Sequence, residues 1–139
     1  MIVVFDASSL VGAALRPGSV PETAVLTAVD RGTLAVSREV VDEYRAVLCR
    51  PKFAHALSAE RREAIIELIE VVSQRVQPIE RVTDCRDQKD NMYLALAAAS
   101  GATLLVSSDA DLLVLDPWRG VRILTPAAFL VHVGTAQPE

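Results

Sequence analysis

Asp6, Glu43, Asp90 and Asp109 are the residues whose type and placement best suit chemistry. Asp6 follows the apolar run Ile2-Val3-Val4-Phe5, and Asp109 follows Leu104-Leu105-Val106 with only Ser107 and Ser108 between. Both acids therefore stand at the carboxyl ends of expected buried strands. In an open parallel sheet the functional crevice lies outside those ends, where the winding direction reverses, so two such acids become neighbours. Carboxylates about 4 Å apart repel by roughly 4 kcal/mol at an effective dielectric near 20. A group of four calls for a cation, protons or water, and the chemistry it suggests is that of a metal site. A single Asp at a strand end is equally an ordinary solvated residue; the set of four is harder to explain in that way.

Positioning these acids requires strands alternating with helices, and the chain has room for one such domain. Its 139 residues match one hydrophobic core, and 51% hydrophobic against 23% charged residues excludes disorder. That apolar content also suggests surface covered by a partner. The start, Met-Ile-Val-Val-Phe, lacks a basic leader region and meets Asp6 too soon for a signal peptide, and no apolar run approaches membrane-spanning length. The expectation is a soluble cytoplasmic protein with no membrane contact. Cys49 and Cys85 form no CxxC pair and have only His55 and His132 as companions, which argues against structural zinc or a disulfide. The net charge of -4 makes the whole chain no electrostatic magnet for nucleic acid. Arg45, Arg50, Lys52, Arg61 and Arg62 nevertheless make its middle basic, either a phosphate-contacting surface or a solvated helix face.

The alternation of apolar runs with helical patterns reads as α/β with a mainly parallel sheet. After the first strand, a helical stretch from Ser9 to Leu15 stops at Arg16-Pro17-Gly18, and a second begins near Pro21 and ends at Gly32. Thr33 to Val36 is a short strand. Ser37 caps a helix that presents Val40, Val41, Tyr44, Val47 and Leu48 on one face, with Glu43 at its margin, before Arg50-Pro51 ends it. A carboxylate held at that margin needs compensation, unless it reaches round to solvent. Ser58 opens a helix whose Ile65, Ile66, Leu68, Ile69 and Val72 form a wide stripe, structural or dimer-forming. Between Val76 and Val82 we expect an edge strand through Pro78-Ile79. Asp87 is a candidate N-cap for the next helix, with Asp90 in its first turn, where the helix dipole alone would favour an acid. Gly101 closes this helix, Thr103 to Val106 enters the sheet, a short helix runs from Asp109 or Ala110 to Val114, and Val121 to Leu124 is the last strand. A helix opened by Thr125-Pro126 completes a single domain over 1–134, leaving a short tail at 135–139.

Several fragments in order resemble the PIN-domain family of metal-dependent ribonucleases, particularly VapC-like toxin components of bacterial toxin–antitoxin systems. They are Val4-Phe5-Asp6-Ala7-Ser8-Ser9-Leu10-Val11, Ser37 through Leu48 with Glu43-Tyr44 inside it, Arg50-Pro51-Lys52, Asp87-Gln88-Lys89-Asp90-Asn91, Ser107-Ser108-Asp109-Ala110-Asp111-Leu112-Leu113 and Ile123-Leu124-Thr125-Pro126. Each fragment is weak alone; their order and spacing are specific. The resemblance implies a three-layer α/β/α sandwich around a five-stranded sheet in the order 3-2-1-4-5. It also implies that Asp6, Glu43, Asp90 and Asp109 bind Mg²⁺ or Mn²⁺, with Asp111 as an accessory fifth acid. An all-oxygen donor set suits these hard ions. Ser8, Ser9, Asn91 and Ser107 would support the ligand shell, and Arg45, Arg50, Lys52 and Lys89 would contact RNA. The chain departs from the family pattern at Ser9, usually Asn, and at Ser107-Ser108, usually Thr or Ser followed by Gly. Supporting changes of this kind commonly alter metal affinity or rate 10–100-fold.

The activity so implied is hydrolysis of RNA phosphodiesters at one or two divalent ions, leaving 5′-phosphate and 3′-hydroxyl ends, with a cognate antitoxin and a second copy of the chain as partners. The antitoxin would insert a segment, with an Arg, near the acidic site. A rival reading of Asp6 is the aspartyl-phosphate nucleophile of a phosphotransfer enzyme, but Ser8 stands where a second acid is needed and no lysine follows Asp109. The other rival is a PIN fold kept as a catalytically weak or inactive module that binds RNA or protein.

Overall fold

Parallel strands need crossover helices, and the chain supplies one between almost every pair. The computed structural model describes residues 1–134; the expected tail at 135–139 lies outside the described residues. In order, the elements are β1 (Ile2–Phe5), α1 (Ala7–Leu15), α2 (Val20–Arg31), β2 (Thr33–Val36), α3 (Arg38–Leu48), α4 (Ala59–Val72), β3 (Ser73–Arg75), α5 (Asn91–Ser100), β4 (Leu104–Val106), α6 (Ala110–Leu113), β5 (Arg122–Leu124) and α7 (Pro126–Gly134). Two 3₁₀ turns, Pro51–Phe53 and Gln88–Asp90, lie between them. All strand pairings are parallel, and the sheet runs β3-β2-β1-β4-β5, as the resemblance implies. Helices flank it to form the expected α/β/α sandwich.

The winding reverses at β1, which pairs with β2 on one side and β4 on the other. Val3 is the partner of both Leu34 and Leu104, and Phe5 pairs with Val106. This register puts the ends of β1 and β4 level, and the Asp6 N–H continues the ladder to the Val106 carbonyl at 3.0 Å. Val3, Val4, Leu105 and Val106 are wholly buried because helices cover both faces of these central strands. Phe129 of α7 meets Phe5 edge-on, with ring centroids 6.1 Å apart. Gly101 takes the left-handed conformation (φ 74°) that stops α5 and turns the chain into β4.

Two details differ from the sequence reading. The edge strand is Ser73–Arg75 rather than a segment through Pro78-Ile79. Arg75 pairs with Val36 and the Val76 N–H makes the last bond to the Val36 carbonyl, whereas Pro78 has no N–H to donate and Ile79 is 99% exposed. The apolar stripe of α4 is narrower than its composition suggests: Ile66 and Ile69 are buried, Ile65 and Val72 are partly covered, and Leu68 is exposed together with Val71. Among the described residues no helix is long and apolar enough to cross a membrane.

Candidate metal centre

Asp6 lies immediately after β1 and is the N-cap of α1, its Oδ1 accepting the Ser9 N–H at 2.9 Å. Its other oxygen, Oδ2, accepts the hydroxyl of Ser107, which follows β4. The same Ser107 oxygen accepts the Asp109 N–H at 2.9 Å, so one wholly buried serine ties together the acids at the two strand ends. Ser8 adds a long contact from its hydroxyl to Asp6 Oδ1, 3.4 Å. Ser9 holds Asp6 through its backbone N–H, while its buried hydroxyl has no hydrogen-bond partner among the described residues. Burial pushes the Asp6 carboxyl above its ordinary range, opposed by the hydrogen bonds from Ser107 and Ser9.

Glu43 comes from α3, where the buried stripe Val40, Val41, Tyr44, Val47 and Leu48 fixes the rotation of the helix and leaves Glu43 half-buried at its edge. Asp87, Lys89 and Asp90 come from the polar loop before α5. Asp87 caps the 3₁₀ turn, accepting the Lys89 N–H at 3.1 Å, and is not the cap of α5 itself. Asp90 occupies the residue before α5, is buried, and makes no side-chain capping bond to the helix. Asn91 accepts the Cys85 N–H through Oδ1 at 2.8 Å and so closes the loop from behind.

These elements meet around a cavity of about 280 Å³ lined by Asp6, Ala7, Ser8, Glu43, Val47, Arg50, Asp87, Lys89, Asp90, Tyr93 and Asp109. Five carboxylates thus face two cations. The tightest group is Asp87, Asp90 and Asp109, one oxygen of each lying within 4.8 Å of the others; Asp6 and Glu43 line the same cavity outside that group. Asp90 Oδ2 is buried with no hydrogen-bond partner among the described residues. Burial, followed by the hydrogen bond and charge of Asp109, pushes the Asp90 carboxyl up to about 7. An orphaned buried oxygen, converging carboxylates and no soft ligand form a donor set that fits a hard divalent cation.

The remaining residues of the sequence reading divide between the cavity and the surface around it. Asp111 does not line the cavity; its N–H is capped by Asp109 Oδ1 at 2.9 Å and its carbonyl accepts the Cys85 thiol. Arg50 and Lys89 line the cavity, but Arg45 is paired with Glu63 at 3.3 Å and Asp42 at 3.8 Å, and the Lys52 ammonium sits 5.1 Å from the Phe53 ring centroid. Sequence reasoning gave Asp87 a capping role only and missed Tyr93. The signal for Asp87 was its place three residues before Asp90, across a single turn. Tyr93 gave none, because on a helix of otherwise apolar residues an aromatic reads as core.

A parallel α/β sandwich whose strand ends and a helix-preceding loop converge on carboxylates defines a class of acidic, cation-fitting sites. The chain belongs to the PIN domain family, a family of nucleases, whose model matches residues 2–111. Among solved structures it is similar to VapBC2 from Rickettsia felis, bound to a DNA fragment from their promoter, at 12% identity and a TM-score of 0.60, covering 88% of this chain and 97% of that one. It is also similar to PAE2754 from Pyrobaculum aerophilum, at 18% identity and a TM-score of 0.60, covering 96% of this chain and 90% of that one. These likenesses concern the fold. No curated protein matches the sequence.

Proposed function

We propose that the protein is a divalent-metal-dependent endoribonuclease and the toxin of a toxin–antitoxin pair. The observation that carries this reading is the cavity in which Asp6, Glu43, Asp87, Asp90 and Asp109 converge while one buried oxygen of Asp90 has no partner among the described residues. Asp90 and Asp109, with Asp87, would hold Mg²⁺ or Mn²⁺, and Asp6 and Glu43 would complete the acidic wall. Asp111 is left out of this set because it lies off the cavity. Such ions activate water and shield the negative charge that develops at a phosphodiester.

The chain's own residues have distinct tasks. Ser107 fixes Asp6 and Asp109 relative to one another, and the Ser9 N–H and Ser107 hydroxyl favour ionised Asp6 against its burial. Arg50 and Lys89 offset the repulsion that an acidic cavity exerts on RNA and would contact its phosphates. The similarity to VapBC2 supports the toxin reading; its partners would be a cognate antitoxin and a second copy of the chain, in the cytoplasm.

The test is incubation of a labelled single-stranded RNA pool with purified protein in Mn²⁺, Mg²⁺ or EDTA. Cutting that needs the ion and leaves 5′-phosphate ends is expected; cutting that persists in EDTA, or none in either metal, contradicts the proposal.

A further inference from the structure

Two tyrosines flank Asp6. From α3, next to Glu43, the Tyr44 hydroxyl donates to the Phe5 carbonyl. From α5, three residues after Asp90, the Tyr93 oxygen accepts the Ala7 N–H at 3.0 Å. Tyr44 is spent in this bond. Tyr93 is not: it is 97% buried (3% exposed), it lines the acidic cavity, and no acceptor among the described residues takes its phenolic proton. A buried O–H without an acceptor is unusual, and one on a cavity wall marks where a ligand atom belongs. Its oxygen is already engaged by a backbone donor, which polarises the O–H and makes it a stronger donor. A neutral phenol is a poor ligand for a hard cation. With Asp87, Asp90 and Asp109 turned to a cation and both Asp6 oxygens already accepting from Ser9 and Ser107, the acceptor left for this proton is an incoming anion.

We propose that Tyr93 is a phosphate-binding residue of the cavity, donating its phenolic hydrogen to a non-bridging phosphoryl oxygen of the bound nucleic acid. The assignment rests on the nuclease reading of the same site. A loop-borne acid, a hydrogen-bond donor for phosphate and the backbone beside Asp6 are thereby linked, Asp90 to Tyr93 through the first turn of α5 and Tyr93 to Ala7 by their hydrogen bond.

Adenosine 5′-monophosphate is a suitable probe, because it carries a phosphate but no internucleotide bond to cut. Binding of this nucleotide and of Mn²⁺ is measured by calorimetry for the intact wild-type chain, Tyr93→Phe and Tyr44→Phe, alongside RNA cleavage. Tyr93→Phe should weaken nucleotide binding about tenfold and slow cleavage, with Mn²⁺ affinity unchanged. Tyr44→Phe should leave nucleotide affinity within twofold of wild type. The chain has only these two tyrosines, so in 3-fluorotyrosine-labelled wild-type protein the nucleotide should shift the Tyr93 fluorine resonance and not that of Tyr44, a readout independent of how well either variant folds. Absence of nucleotide binding by the wild type, unchanged binding by Tyr93→Phe, or joint loss of Mn²⁺ and nucleotide would overturn the proposal. Tyr93-dependent nucleotide binding without RNA cleavage would instead sustain it and sink the nuclease reading, while metal-dependent cleavage insensitive to Tyr93→Phe would do the reverse.

Discussion

Asp90→Asn separates what the carboxylate cluster costs the fold from what it does for a cation. One oxygen each of Asp87, Asp90 and Asp109 lies within 4.8 Å of the others, and two full charges at about that separation repel by roughly 3 kcal/mol at an effective dielectric near 20. Solvent entering the cavity screens part of this, leaving about 2 kcal/mol for the substitution to relieve. The sign follows from the protons. Asp90 is pushed up to about 7 in the folded chain, against about 4 in the unfolded one. Between those values the unfolded state binds fewer protons, so metal-free protein loses stability as pH rises from about 4 to 7. Asparagine carries no such loss. Unfolding by heat and urea in EDTA should find the variant close to wild type at pH 4 and about 2 kcal/mol more stable at pH 8, a gain of about 6 °C in Tm for a chain of this size. Saturating Mn²⁺ should close this gap, since wild type gains about 2.7 kcal/mol at a hundredfold excess over Kd and the variant, one anionic ligand short, gains less. A variant less stable than wild type in EDTA at pH 8 would mean that charge repulsion does not strain the cluster, and one equally stabilised by Mn²⁺ that Asp90 does not bind the ion.

Other substitutions test other joints of the structure. Ser107→Ala removes the hydroxyl shared by Asp6 and Asp109 and should lower Mn²⁺ affinity about 10–100-fold in a calorimetric titration. Replacing Arg50 and Lys89 with Ala should weaken single-stranded RNA binding and flatten its salt dependence by up to about two phosphate contacts, whereas Arg45→Ala, its cation already held by Glu63, should change the slope little in the same fluorescence titration. Gly32→Ala places a Cβ 2.3 Å from the Met1 carbonyl oxygen and should cost about 1–3 kcal/mol in urea unfolding as the start of β1 is displaced. Ile79→Asp, at a residue 99% exposed, should leave stability within about 0.5 kcal/mol of wild type.

The parallel sheet was legible because its central strands are short, unbroken apolar runs bounded by polar residues, and because Ser37, Ser58 and Gly101 mark helix ends by local chemistry. The edge was not. Ser73–Arg75 carries no apolar alternation and is a strand only because Leu34 to Val36 offers it a ladder, a non-local cause that no window of sequence contains. The same distinction divides the acidic cavity. Asp6 and Asp109 announce themselves by following strands, but the gathering of Asp87 with Asp90 and Asp109 depends on how the 84–91 loop folds back through the Asn91 bond to Cys85, and the place of Asp111 off the cavity on the turn of α6 that Asp109 caps. Tyr93 is the extreme case, since its role is set by a hydrogen bond to a residue 86 positions away.

If the converging carboxylates hold the ion with which this chain cuts RNA, removing two of them should abolish cutting. The measurement is the initial rate of single-stranded RNA cleavage in Mn²⁺ for wild type and an Asp6→Asn, Asp109→Asn double variant of confirmed fold. Metal-dependent cutting by wild type is expected, with a loss of at least a hundredfold, on the order expected for removing metal and electrostatic stabilisation, in the variant. Equal rates in the two proteins would contradict this expectation.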